Sequence, residues 1–191
     1  MSPNSGPNSG PNSGQRSSPR SRHERLTISS QPSDCLLTPA TTALLLIDMQ
    51  RDFLEPGGFG AALGNDVTQL QPAIQGCMRL LAIARAANFL VFHSREGHAP
   101  DLSDLTESKK RNSSEQIGAE GLMGKFLLIG QPGHEIIDAL RPQQNECVID
   151  KPGKGAFYQT DLQAVLTEAG IDTLIVAGVT TEICVHSTVR E

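Results

Sequence analysis

The chain has 191 residues, enough for one domain of ordinary size, with 16 lysines and arginines against 21 aspartates and glutamates. A formal charge of −5 with no basic stripe to offset it argues against a general nucleic-acid binder. No apolar run approaches the ~18 residues of a membrane span, so no membrane partner is expected.

In chain order, residues 3–14 are three identical copies of Pro-Asn-Ser-Gly. This repeat has no apolar surface to bury against its ordering entropy, which predicts disorder. Arg16, Arg20, Arg22 and Arg25 follow among serines. An Arg- and Ser-rich, acid-poor leader has the composition of an organelle transit peptide. Residues 1–25 lack the apolar side chains of an amphipathic face, however, and residues 1–37 read as a solvated tail. Cys35, Cys77, Cys147 and Cys184 show no CxxC spacing, and no secretory signal precedes them. Reduced thiols in the cytoplasm are expected.

From residue 38 to 191 the pattern alternates between strand and helix. Ala43–Asp48 predicts an apolar strand. Leu70–Asn88 predicts a helix with Ile74, Met78, Leu81 and Ala82 on one face. Phe89–His93 reads as a second strand. Ser94–Pro132 is a long connection rich in glycine and charge, the usual composition of a lid. Gly133–Leu140 reads as a short helix and Glu146–Asp150 as a third strand. Thr160 with Gln163 predicts a capping box for a helix ending before Gly170. Thr173–Gly178 is the fourth strand, and Glu182–Arg190 begins a further helix. Such alternation predicts an α/β fold, a doubly wound and mostly parallel sheet with helices on both faces.

Three strand ends carry reactive groups. Asp48 follows the first strand, where open α/β sheets place their ligand crevice. Lys151 follows the third. Cys184 lies at the strand-to-helix turn after the fourth, where unpaired N–H groups and the helix dipole favour thiolate over thiol. Taken singly, these are a turn cap, a surface charge and a core cysteine. Base, cation and thiol at one sheet edge form the arrangement of a cysteine hydrolase.

Asp48-Met-Gln-Arg-Asp-Phe53, Lys151-Pro-Gly-Lys-Gly-Ala-Phe157 and Gly178-Val-Thr-Thr-Glu-Ile-Cys184 resemble motifs of the isochorismatase-like cysteine hydrolases. That superfamily includes nicotinamidases, N-carbamoylsarcosine amidase, ureidoacrylate hydrolases and biuret hydrolases. Glu55-Pro-Gly-Gly-Phe-Gly60, Gly64-Asn65-Asp66 and Lys154 most resemble the biuret hydrolase branch. The resemblance implies a catalytic triad of Asp48, Lys151 and Cys184 cleaving a small ureido-type amide such as biuret through a thioester, without a cofactor. It also implies an oxyanion hole from the N–H groups of Thr180 and Cys184, with a cis peptide between Val179 and Thr180. Phe53 is then an apolar wall or a core residue, and Lys154 a donor to a substrate carbonyl or a solvated charge. Gln50 reads as an orienting residue.

Nicotinamidases bind a metal through Asp-x-His and a second histidine. The matching place here holds Glu96-Gly97-His98 with His93 nearby, but Ala99–Gly133 contains no histidine, so no metal is expected. His98 then reads as a solvated or gate residue. The superfamily continues for two further strand–helix units, so the chain reads as C-terminally truncated, with an exposed sheet edge. Three rivals follow from the resemblance. One is another amidase of the superfamily, and another is an isochorismatase proper, whose vinyl-ether hydrolysis dispenses with the cysteine. The last is an inactive fragment acting by association. The complete domain is expected to be a homo-oligomer.

Overall fold

The computed structural model describes residues 25–111 and 116–191. The central sheet has four parallel strands: β3 (Thr42–Ile47), β4 (Leu90–Glu96), β7 (Cys147–Lys151) and β8 (Thr173–Gly178), in the order β7-β4-β3-β8. All six residues of β3 are buried, as expected for a parallel strand covered on both faces. Successive β3 side chains feed two cores. Leu44 and Leu46 pack with Ile74, Cys77, Leu81 and Ala84 of helix α3 (Gln71–Ala86). Ala43, Leu45 and Ile47 pack with Leu162 and Leu166 of α5 (Leu162–Glu168). The expected α/β architecture is therefore present, with helices on both faces.

The chain leaves β3 toward β4 and β7 on one side, then returns to β8 on the other. That reversal puts a topological switch point between β3 and β8, where open α/β sheets bind ligands beyond the strands' carboxyl ends. The register aligns those ends. Ile47 is opposite both Ser94 and Gly178, and Glu96 is opposite Lys151. Gly178 has φ +138, and a Cβ there would meet the backbone of Ile47, so glycine is required where β8 turns into the site.

Several local expectations are corrected. Order begins inside the stretch read as tail, because β1 (Leu26–Ile28) pairs antiparallel with β2 (Cys35–Leu37) and Leu37 is buried. The Pro-Asn-Ser-Gly repeats and residues 1–24 lie outside the described residues. On α3 the buried stripe contains Cys77 and Ala84, while Met78 and Ala82 are exposed. Residues 133–140 are not one helix. Two short 3₁₀ turns, Pro132–His134 and Asp138–Leu140, flank an extended piece. Ile136 there bridges to Gln50, and the Ile137 N–H donates to the Met49 carbonyl at 3.0 Å. The capping box does not form, and the N-cap residue is Asp161 without a side-chain cap bond. Thr160 Oγ1 accepts from the Leu162 N–H at 3.3 Å, but Gln163 pairs with Thr167 instead.

The long connection after β4 contains α4 (Glu107–Arg111) and a hairpin of β5 (Glu120–Gly121) and β6 (Gly124–Lys125). Its later part is anchored rather than loose. Buried Asp52, in the short helix α1 (Arg51–Leu54), accepts from the Leu127 N–H at 2.9 Å, and Phe126 packs edge-on against Phe59 of α2 (Phe59–Ala62). After β8 a π-helical turn, Thr181–Val185, leads into α6 (His186–Arg190). Among the described residues no helix is long and apolar enough to cross a membrane.

Candidate active site

The three residues singled out at strand ends converge. Lys151 Nζ lies 2.8 Å from Asp48 Oδ2, with both side chains buried. Asp48 is itself in the left-handed region at φ 50, an uncommon conformation for a residue with a Cβ and one that clusters at functional sites. Its N–H donates to the Ser94 carbonyl at 3.1 Å, and Ser94 Oγ donates to Asp48 Oδ1 at 2.7 Å. Lys151 also donates to the carbonyls of Gly153 and Lys154, at 2.9 and 3.0 Å. The buried ammonium thus has two hydrogen-bonded carbonyls and one close ion-pair partner.

Cys184 sits in the π-helical turn and is buried. Its Sγ, an Asp48 carboxylate oxygen and a Glu96 carboxylate oxygen lie within 4.8 Å of one another. Glu96 is the residue the sequence pattern does not single out as catalytic. It ends β4 with no exposed surface, and the Cys184 thiol donates to its Oε2 at 3.6 Å. Three ammonium groups surround this carboxylate. Lys151 is 3.9 Å from Oε2, while Lys154 and Lys109 lie 3.0 and 3.2 Å from Oε1. Gln50 ties down the strand end, accepting from the Glu96 N–H at 2.7 Å and donating to the Glu96 carbonyl at 2.9 Å.

These charges set the resting protonation. Burial pushes the Cys184 thiol well up, Asp48 and Glu96 add to that, and Lys151 only partly offsets them. Burial beside two carboxylates thus opposes the thiolate that the turn's N–H groups favour, so the thiol needs a base to ionise it. Burial raises Asp48 despite Lys151. Burial also opposes ionisation of Glu96, but its three lysines outweigh that and hold the carboxyl below its usual value. Lys151 is pushed up, its desolvation overcome by Asp48 and Glu96.

A cavity of about 470 Å³ opens onto Cys184, Glu96, Lys154 and Thr180. That volume suits a small ligand. Phe53 and Phe59 form one wall, with ring centroids 6.0 Å apart and nearly perpendicular. Asn65, Asp66 and Gln69 supply polar lining. The Val179–Thr180 peptide is cis. His98 is buried rather than solvated, with Nδ1 3.2 Å from Asp104 Oδ2 and Nε2 3.2 Å from Lys109 Nζ. Both ring nitrogens are thus engaged by other side chains. The trio of Asp48, Glu96 and Cys184 is served by ammonium groups.

Fold and site together define an α/β protein that presents a thiol, a carboxylate–lysine pair and a second buried carboxylate at a sheet's switch point. An isochorismatase domain model matches residues 42–191. A ureidoacrylate amidohydrolase of Methylobacterium radiotolerans is 30% identical over 183 residues, covering 89% of this chain and 68% of that protein. Its counterpart in Methylorubrum extorquens is 31% identical over 176 residues, covering 89% and 71%. Among solved structures, a cysteine hydrolase from Pseudomonas syringae pv. phaseolicola has 31% identity and a TM-score of 0.65, covering 81% of this chain and 66% of that one. An isochorismatase family protein from Desulfovibrio vulgaris has 34% identity and a TM-score of 0.64, covering 78% and 72%. The chain belongs to the isochorismatase-like cysteine hydrolase superfamily. It spans about two thirds of the length of these relatives. These curated relatives are ureidoacrylate amidohydrolases, not the biuret hydrolases expected from the motifs around Glu55–Gly60 and Lys154.

Proposed function

We propose that this protein is a cysteine-dependent amidohydrolase acting on a small ureido compound, a carbamoyl group carried on a substituted nitrogen. The observation that carries the reading is a cavity-lining Cys184 beside an Asp48–Lys151 pair at 2.8 Å. Cys184 Sγ attacks the carbonyl carbon as Asp48 takes the thiol proton. Burial raises Asp48, and a less acidic carboxyl is the better acceptor of the thiol proton. Lys151 compensates the charge that moves onto sulfur. The N–H groups of Thr180 and Cys184 hold the oxyanion. Asp48 then protonates the departing nitrogen, the C–N bond breaks, and the acyl group remains as a thioester. Water, deprotonated by Asp48, attacks the thioester and releases the thiol and the acid.

In this reading Glu96 holds the sulfhydryl toward the cavity, Phe53 forms the apolar wall, and Lys154 meets a substrate oxygen. The relatives' printed name favours an N-carbamoyl acid, and biuret shares the same ureido end. Ammonia release from ureidoacrylate, biuret, simple ureas and nicotinamide tests the reading. Turnover is expected on at least one ureido compound and none from Cys184→Ser, since Asp48 cannot ionise an alcohol adequately. Silence of the folded wild-type chain across the panel would end the proposal. The isochorismatase match also allows vinyl-ether hydrolysis. Alkylating Cys184 separates the two, because it stops amide cleavage and spares ether cleavage.

A further inference from the structure

Lys109 stands apart from the charged run Ser108-Lys-Lys-Arg111 that contains it. Its neighbour Lys110 pairs with Glu107 in the same helix, with both side chains largely exposed. The Lys109 ammonium instead reaches inward to three separate segments. It donates to Glu96 Oε1 at 3.2 Å at the end of β4, and to the Pro152 carbonyl at 2.8 Å after β7. Its third contact is His98 Nε2 at 3.2 Å. An ammonium has no lone pair, so Nε2 must be the acceptor, and the ring proton must be on Nδ1. There it faces Asp104 Oδ2 at 3.2 Å, while Asp104 Oδ1 is held by the Ala99 N–H at 3.0 Å. A line of directed contacts thus runs from Asp104 through His98, Lys109 and Glu96 to the Cys184 thiol.

We propose that Lys109, held by the Asp104–His98 pair, is a positioning residue that fixes the Glu96 carboxylate against the Cys184 thiol. It does not line the cavity and touches no reacting atom. Its effect passes through Glu96, which would otherwise lose one of the three cations that compensate a fully buried charge. The assignment also gives a use to a buried histidine that the triad leaves out. The role in turnover rests on the amidohydrolase reading, but the contact geometry does not.

Two measurements test it, one independent of turnover. Ring 15N NMR of the wild-type chain, with His98 identified by its loss in His98→Gln, should show the Nδ1–H tautomer. In Lys109→Met the ring should titrate at higher pH, because a nearby ammonium that disfavours the imidazolium is gone. An Nε2–H tautomer in the wild type would overturn the proposal, whatever the enzyme acts on. With a substrate from the panel in hand, Lys109→Met should lower kcat ~10- to 100-fold, the range expected when a reacting group is misplaced, with KM little changed. Lys109→Arg, which keeps the charge, should recover most of the loss. Asp104→Asn combined with Lys109→Met should be far from additive, since both act on one contact line. A kcat for Lys109→Met within twofold of wild type, or equal losses in the Met and Arg variants, would refute the positioning role.

Discussion

Cys184 poses an apparent conflict, because a nucleophile is buried beside two carboxylates that oppose its ionisation. The conflict resolves if the proton leaves only as the carbonyl arrives, with Asp48 as its acceptor and Lys151 as the compensating charge. A resting thiol of this kind should alkylate slowly. Iodoacetamide at neutral pH, followed by peptide mass analysis, should modify exposed Cys35 well before Cys184, and the Cys184 rate should climb with pH. Lys151→Met should slow it further, since Lys151 is the group that lowers this thiol's pKa. A Cys184 that outpaces Cys35 at neutral pH would mean a resting thiolate. Lys151 also has a structural share. Removing it strands Asp48 and weakens the neutralisation of Glu96, and breaking a buried pair on one side costs roughly 3–5 kcal/mol. Lys151→Met should therefore lower the unfolding midpoint in urea as well as abolish turnover, whereas Cys184→Ser should do only the latter.

At the level of elements, the end of the sheet away from the site has its own polar lock. Arg85 at the end of α3 grips Glu146 with contacts of 2.7 and 2.9 Å, and His93 of β4 lies 2.9 Å from the same carboxylate. Glu146 also accepts from the Gln143 N–H at 2.9 Å, so one side chain joins helix, strand and the turn before β7. Burial opposes its ionisation, but Arg85 and these hydrogen bonds prevail and hold it at about 2. Its folded value is below its unfolded one, so its contribution is fully present above the ordinary glutamate range and is lost as pH falls toward 2. Thermal midpoints measured from pH 6 to pH 2 should fall more steeply for the wild type than for Glu146→Gln, and parallel curves would contradict this. The lock is not legible in the sequence, because Glu146 reads there as the first residue of the third strand, whereas β7 begins at Cys147 and only packing brings Arg85 to the Glu146 side chain. The strands themselves are legible wherever β-branched or leucine runs are continuous. The second strand reads as too short, because Ser94-Arg95-Glu96 has the composition of a loop while in fact carrying the site.

For the whole molecule, the same physical division explains which functional residues can be read in advance. Asp48, Lys151 and Cys184 each follow an apolar run, so strand-end placement alone sets them at one sheet edge. Glu96 and Lys109 lie in charged stretches where a solvated role is the ordinary one. Tertiary packing selects Lys109 over Lys110, and no periodicity encodes that choice. The sheet also has consequences at its margin. Among the described residues no strand pairs with the outer edge of β8, and all six of its residues remain partly exposed. Thr-Leu-Ile-Val-Ala-Gly is apolar and carries no charge or proline, so it lacks the usual devices that keep a free edge from pairing with another chain. Self-association through this edge is therefore expected for the chain as it stands. Sedimentation velocity over a dilution series should show a mass that rises with concentration. Placing a charge at the start of the edge, as Thr173→Lys, should weaken that association without touching the cavity, because a charged side chain on an edge strand disfavours pairing with another chain. A monomer at every concentration would show that the β8 edge is not used in this way.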